Sequence, residues 1–398
     1  MTLLLGAPTF LLMISLIVTI HELGHFSVAR LFKTKIERFS VGFGPILWSR
    51  RDKNGVLWCL SALPLGGYVK FAGDEHVSSM SPDEKELQEA RLAITQREGA
   101  GAEQAYFHFK PVWQRFLIVL AGPMANFVLA IAIFAFLLSV FGEVIRPPLV
   151  DRTEPGSVAE AAGFRTGDVL VSIDGRKVDQ FQDAARLINT RADQATRFEV
   201  RRGAQIVTID ATPKRDVITQ PGQPVVYGGR IGLHFADQPY RKRYWPHDAV
   251  AEGFKTTVDV LDTTLTYIGR IFTGKENGDQ LSGILGMTKT TGDLTAEVAK
   301  AKTSPGITAL NWALTMLQLA AVVSIGIGFV NLLPVPVLDG GHLVFYTYEA
   351  VARKPLNATI QGLGYRFGLV ALLGLMLFAT WNDLNRMGVS KFFGGLFS

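Results

Sequence analysis

Phe10-Leu11-Leu12-Met13-Ile14-Ser15-Leu16-Ile17-Val18-Thr19-Ile20-His21-Glu22-Leu23-Gly24-His25 runs without a formal charge from Phe10 to Ile20 and then carries two histidines around a glutamate. On a helix, residues four apart share a face, so His21 and His25 point the same way. A charged side chain near the centre of a membrane helix costs about 2.5–3.5 kcal/mol on insertion scales. A structural zinc site in a peptide contributes about 10–16 kcal/mol, enough to offset that cost. The reading is therefore a shared Zn²⁺ on His21 and His25, with Glu22 beside it as the base that takes a proton from water. A second reading leaves these residues just beyond the bilayer, pairing with headgroups or with Arg30.

Working outward, the whole chain is apolar enough for the membrane reading. Of 398 residues, 48% are hydrophobic and 19% charged, and mean hydropathy is +0.23. Spanning ~30 Å of hydrocarbon takes roughly 20 apolar residues. Four stretches qualify: Leu3 to Ile20 running on into the next turns, Phe116 to Gly142, Trp312 to Leu338, and a weaker one, Phe367 to Trp381, which needs Gly362 to Tyr365 to complete it. The corresponding segments are 1–35, 113–142, 309–342 and 362–385. The first could also be the apolar region of a signal peptide, but it has neither a basic leader nor a small-x-small cleavage site, so a span is expected. Arg30, Lys33, Lys35, Arg38, Lys110, Arg115, Arg353 and Lys354 lie at one set of span ends, which the positive-inside rule assigns to the cytoplasm. The net charge of +5 is scattered rather than gathered into a basic tract, so no nucleic-acid partner is expected. Cys59 is the single cysteine and has no disulfide partner in the chain.

Between the first two spans (36–112), Phe39 to Phe71 alternates aromatic and β-branched residues around Asp52-Lys53-Asn54-Gly55, which predicts a β-hairpin with a type I′ turn. Ser78 to Glu103 is rich in Glu, Gln, Arg and Ala without a broad apolar face, as in a solvated helix. From Pro147 to Ala236 short strand-like runs, such as Asp168 to Ile173 and Gln205 to Ile209, alternate with Gly and Asp turns, the pattern of a small independent domain. In the following stretch, 238–308, Val258, Leu261, Leu265, Ile268 and Phe272 share one helical face. Two readings stand for it: a helix on the membrane surface, or one packed on the soluble domain.

A hydrolytic zinc keeps three protein ligands and one open position. A metzincin would need Gly and His where this chain has Val28 and Leu31, and Glu37 is too near to serve as the second-helix Glu of thermolysin-like enzymes. The candidate for the third ligand is in Asn331-Leu332-Leu333-Pro334-Val335-Pro336-Val337-Leu338-Asp339-Gly340-Gly341-His342. Asp339 is the acid nearest that span, and the prolines and glycines break the helix so that a carboxylate can face the first span. His342 competes as third ligand and ranks below Asp339. The plain alternative is a Pro-rich exit from the membrane with Asp339 as a helix cap. Asn331 has two readings, a hydrogen bond across helices or a hold on substrate backbone.

These residues resemble the site-2 protease family, in its bacterial RseP-type branch, the intramembrane regulators of sigma-E-like stress signalling. The likeness rests on HELGH at 21–25, Ser40-Val41-Gly42-Phe43-Gly44-Pro45, Pro64-Leu65-Gly66-Gly67-Tyr68-Val69-Lys70, Ala121-Gly122-Pro123-Met124-Ala125-Asn126-Phe127 and the NLLPVPVLDGGH run. Glu154 to Ala159 with Ala162 to Leu170 looks like the core of a bacterial PDZ domain, here spanning 146–237. The resemblance implies a polytopic α-helical membrane protein of about four spans, with a membrane-associated β-hairpin and an inserted extracytoplasmic PDZ domain (α+β). It further implies Zn²⁺ on His21, His25 and Asp339, Glu22 as catalytic base, and Asn331 with the hairpin, Gly67 and Tyr68 included, on the substrate. The substrates implied are single-span membrane proteins of the anti-sigma-factor type, trimmed first by a site-1-type protease. The place implied is the lipid bilayer of a bacterial inner membrane. The chain departs from the pattern in holding one PDZ-like stretch where well-known members carry two, and in reading Leu281-Ser282-Gly283-Ile284 where relatives tend to have Pro last. A reading from another class is a catalytically silent membrane scaffold whose PDZ domain binds extracytoplasmic tails. Intact Glu22 and three intact candidate ligands favour the enzyme.

Overall fold

A computed structural model describes residues 2–73, 84–217, 227–274, 278, 281–301 and 303–387. The chain divides into two compact units, one formed by Met1–Leu137 with Pro246–Ser398 and the other by Leu138–Trp245.

In the first unit, α1 (Thr2–Leu31) is one uninterrupted helix through the HELGH turn. It is followed by β1 (Ile36–Arg51) and β2 (Leu57–Phe71). These two long strands do more than form a hairpin. Ile46 to Arg51 pairs antiparallel with Leu57 to Ser61 next to the turn, but Arg38 to Val41 is flanked on both sides. There it faces Lys70 to Gly67 in descending order and Leu57 to Leu60 in ascending order. The central run buries Phe39 and Ser40, and its neighbour 67–71 becomes an edge. The turn also differs from the expected type I′, which needs positive φ at two central residues. Gly55 has φ 84°, while Asn54 is not among the positive-φ residues. Instead the Asp52 carboxylate accepts hydrogen bonds from Asn54 N (2.8 Å) and Val56 N (3.0 Å), a side-chain-closed loop. The solvated helix expected over 78–103 is seen as α2 (Glu84–Glu98); the part of it before Glu84 lies outside the described residues. Then comes α3 (Val112–Phe141).

The second unit is built from β3 (Glu143–Ile145), β4 (Val150–Thr153), α4 (Val158–Ala162), β5 (Val169–Ile173), β6 (Arg176–Lys177), α5 (Phe181–Asn189), β7 (Thr196–Arg202), β8 (Gln205–Ala211), β9 (Lys214–Val217), β10 (Tyr227–Arg230), β11 (Leu233–Phe235) and β12 (Tyr240–Lys242). Its main sheet has the order β6-β5-β7-β8. In β7 Phe198 and Val200 are buried while Arg197 and Arg201 face out, the alternation that makes one face of a sheet a core. Against them pack Leu170, Ile173, Ile209 and, from α5, Ala184, Leu187 and Ile188. β3 pairs with β12, so the two ends of this insert are joined to each other. That is what an insertion between two helices requires.

Returning to the first unit, α6 (Pro246–Phe272) buries a strip of small residues, Ala249, Gly253 and Thr257. A Cβ at Gly253 would lie 3.0 Å from Ile131 O, so the helix lies close against α3. The apolar face expected from Val258 to Phe272 is divided. Leu261 packs with α3 and α8 (below), whereas Val258, Leu265 and Phe272 are exposed. After it come α7 (Ile284–Lys300), α8 (Pro305–Asn331), α9 (Asp339–Ala352) and α10 (Ala358–Arg386). Residues 275–277, 279–280 and 302 of the 238–308 stretch lie outside the described residues. The fold is thus mostly helical. Among the described residues four helices, α1, α3, α8 and α10, are long and apolar enough to cross a membrane. The weakest expected span proves to be a full helix, started by the Asn357 side chain accepting from Thr359 N (2.8 Å).

Candidate metal centre

The site begins with a close helix crossing. A side chain on Gly24 of α1 would run into the Ala121 carbonyl of α3, and one on Gly122 would meet the rings of His25 and His21. Glycine at both positions lets the two backbones approach, and the space that Gly122 leaves is where the two imidazoles sit. Pro123 follows at once and, having no N–H, leaves the Val119 carbonyl four residues back without its helical partner. In that same turn the Ile118 carbonyl lies 2.8 Å from His25 Nδ1 and accepts its proton. A histidine that donates through Nδ1 presents Nε2 as a lone pair, the form that binds metal.

The third group arrives from α8 and α9. α8 ends at Asn331, and the prolines at 334 and 336 prevent it from continuing. The chain folds back on itself before Asp339 starts α9. Side chains on Gly340 and Gly341 would strike backbone atoms of 332–333 and 335–336 respectively, so this reversal needs glycine at both. It brings the Asp339 carboxylate 3.1 Å from His21 Nε2 and 3.5 Å from His25 Nε2, while the two Nε2 atoms are 3.2 Å apart. His342 goes elsewhere: its Nε2 is 2.8 Å from the Tyr365 hydroxyl of α10. Arg30, the alternative partner, is placed elsewhere, over Phe26 and 3.7 Å from Asp52.

The fit of these atoms to a metal can be tested on their spacing. Bonds of about 2.0–2.1 Å to a tetrahedral Zn²⁺ place ligand atoms roughly 3.3 Å apart. The observed triangle of 3.1, 3.2 and 3.5 Å is one face of such a tetrahedron. Among the described residues, His21, His25 and Asp339 are the group whose ligand atoms converge in this way. Asp339 Oδ2 is buried and has no hydrogen-bond partner, an orphaned acceptor that a cation would satisfy. The residues therefore fit a three-ligand zinc site.

The chain matches the sequence profile of peptidase family M50 over residues 9–375. It belongs to that family, the site-2 proteases. The M50 peptidase is 45% identical over 390 residues to the metalloprotease MmpA of Caulobacter vibrioides, covering 98% of each chain. It is 41% identical over 382 residues to a protein of Agrobacterium fabrum named as a zinc metalloprotease, covering 95% of each, and 37% identical over 381 residues to one of Rhizobium meliloti so named, covering 95% and 96%. The protein is accordingly a zinc metalloendopeptidase, and its long apolar helices make it a membrane protein.

A cleft of about 390 Å³ opens beside the triangle and is lined by Glu22, Tyr68, Val69, Asn331, His342 and Tyr346 among others. Glu22 Oε2 accepts a hydrogen bond from Val69 N (3.2 Å) on the 67–71 edge. The sequence-expected residues Glu22, Asn331 and Tyr68 thus converge on one cleft with His21, His25 and Asp339. Gly67 does not line it; its place is fixed by the sheet, where a Cβ would sit 2.5 Å from Ser40 O. Sequence reasoning had Gly122 and Asn126 as part of the family likeness but gave them no role, and it missed the Ile118 carbonyl. Gly122 and Asn126 did leave a signal, a glycine and an amide four apart in an otherwise apolar helix, and so on one face.

Proposed function

We propose that this M50 peptidase cleaves transmembrane segments of single-span membrane proteins, of the anti-sigma-factor type, in regulated intramembrane proteolysis. His21, His25 and Asp339 hold Zn²⁺ and Glu22 is the catalytic base. When bound, Zn²⁺ supplies Lewis acidity that polarises a peptide carbonyl and acidifies water. Glu22 takes the proton of the attacking water and delivers it to the leaving amine. A transmembrane helix satisfies its own peptide groups, so it must be unwound before it can be cut, and the freed N–H and C=O groups need partners. The 67–71 edge supplies them by strand addition, with Tyr68 and Asn331 alongside. A substrate strand there takes the Val69 N–H that Glu22 holds in the free enzyme. The 146–237 stretch acts as a PDZ domain on the extracytoplasmic face of a bacterial inner membrane, selecting chains already shortened by a site-1-type protease.

The observation that carries this reading is the triangle of 3.1, 3.2 and 3.5 Å with an acid in the next position of the helix. The test is cleavage of a tagged single-span substrate in cells lacking the native enzyme, with bound zinc measured in the purified protein. Glu22→Gln is expected to retain zinc and lose cleavage by about 10²–10⁴-fold or more. Asp339→Ala is expected to lose both. Wild-type cleavage by Glu22→Gln would sink the mechanism and favour a scaffold.

A further inference from the structure

His25 and His21 occupy the same face of α1, yet only His25 has its Nδ1 held by a backbone carbonyl. His21 Nδ1 faces instead the amide of Asn126 on α3, with Nδ2 at 3.3 Å. Asn126 is fully buried, and its Oδ1 has no hydrogen-bond partner. α8 reaches this turn of α3 through Ser324, whose hydroxyl donates to the Asn126 backbone carbonyl (2.9 Å), and through Gly328, where a Cβ would lie 3.2 Å from Asn126 Cβ. Neither contact engages the side-chain amide, whose Nδ2 meets His21 across the α1–α3 crossing.

We propose that Asn126 is a positioning residue for zinc: its Oδ1 accepts the His21 Nδ1 proton and thereby presents the Nε2 lone pair to the metal. The inference rests on His21 being a zinc ligand. The two ends of an amide are nearly isosteric, and turning it exchanges donor for acceptor. With Nδ2 toward Nδ1, the ring proton must sit on Nε2, where the His25 Nε2 lone pair at 3.2 Å receives it. With Oδ1 toward Nδ1, the proton moves to Nδ1 and Nε2 is free to bind. Asparagine thus accommodates His21 with and without metal. It does for one histidine what the Ile118 carbonyl does for the other.

The test compares Asn126→Leu, Asn126→Asp and His21→Ala with wild type in the full-length detergent-solubilised protein. Zinc affinity is read by competition with a chromogenic chelator, and thermal unfolding is followed in the zinc-free state. Loss of an outer hydrogen-bond partner of a ligating histidine typically weakens metal binding by about 10–100-fold, the loss expected for Asn126→Leu. Asn126→Asp, which can only accept, is expected to stay within about threefold of wild type or to bind more tightly. The same zinc-free unfolding temperature in the variants separates positioning from general destabilisation. Wild-type zinc affinity in Asn126→Leu, or a loss in Asn126→Asp as large as in Asn126→Leu, would overturn the proposal. Should Asn126→Leu fail to fold, Asn126→Asp decides alone: tenfold weaker zinc binding refutes the role. If His21→Ala keeps full zinc affinity, the ligand assignment itself fails. If it loses zinc while Asn126→Leu does not, only the role of Asn126 falls.

Discussion

Two aspartates with buried carboxylate oxygens, the half-buried Asp339 in the helical unit and Asp168 in the inserted one, are treated in opposite ways. Asp168 is fully buried, and both of its oxygens are taken. Oδ1 accepts from Arg202 Nε (2.8 Å), and Oδ2 from Arg202 Nη2 (2.7 Å) and Arg165 N (2.9 Å). Asp339 has two neutral-capable imidazoles as neighbours, no arginine or lysine paired with it among the described residues, and an oxygen without a hydrogen bond. A charge that is fully compensated by its own chain is holding structure together, because every lone pair is already committed. One surrounded by lone pairs of other side chains waits for a cation. Completeness of pairing is what separates the two carboxylates.

That contrast can be broken most directly at Gly122. Gly122→Ala puts a methyl group against the rings of His25 and His21. Bound zinc and cleavage are expected to fall by at least about 100-fold, as for loss of ligand geometry, while hydrogen exchange in the 138–245 unit is unchanged. Zinc retained at wild-type affinity would show that the ring positions do not depend on this glycine. Arg202→Gln is the converse experiment. It strands Asp168 as a buried unpaired charge and is expected to cost about 3 kcal/mol of stability in the inserted unit, read as faster hydrogen exchange in β5 and β7, with zinc content unaffected. Loss of zinc in that variant would contradict the division of labour between the two carboxylates.

The smallest expected effect is on pH. Burial pushes the Asp168 carboxyl upward, but the hydrogen bonds and charge of Arg202, with the Arg165 N–H, outweigh it and hold the group below the usual aspartate range. A carboxyl depressed in the folded state stabilises it at pH above the unfolded value. The contribution is lost as pH falls below about 4 through the folded value. Hydrogen exchange in the inserted unit of the wild-type chain is expected to accelerate over that window and to be flat from about pH 5 to 7. In Arg202→Gln the acid loss should disappear or reverse. An unchanged acid limb in that variant would assign the effect to another group.

Much of the fold was legible because its signals are local. The charge-free runs of α1, α3 and α8 declare themselves by length and composition, and the alternation of Phe198 and Val200 with Arg197 and Arg201 declares a half-buried strand. The Asp52–Gly55 turn was legible in place but misread in type, because Asn-Gly favours type I′ only when nothing competes, and here the Asp52 carboxylate takes two backbone N–H groups. The double flanking of Arg38 to Val41 could not be read from alternation, which gives the faces of a strand but not its neighbours. The same limit applied to α6, whose buried strip is made of small residues that carry little hydrophobic signal.

Four-residue spacing and helical periodicity are properties of the chain, so the order of residues alone puts His21, Glu22 and His25 together on an apolar helix. It also marked Asp339 through the prolines and glycines that break the helix before it. Contacts between distant segments were needed to bring Asp339 rather than His342 into the triangle, to show Gly122 clearing room for the rings, and to put Ile118 and Asn126 on their far sides. His21 and Asp339 are brought within 3.1 Å by the crossing of helices far apart in sequence. Which faces meet at such a crossing depends on how closely two backbones can approach, and periodicity within one helix carries no record of that.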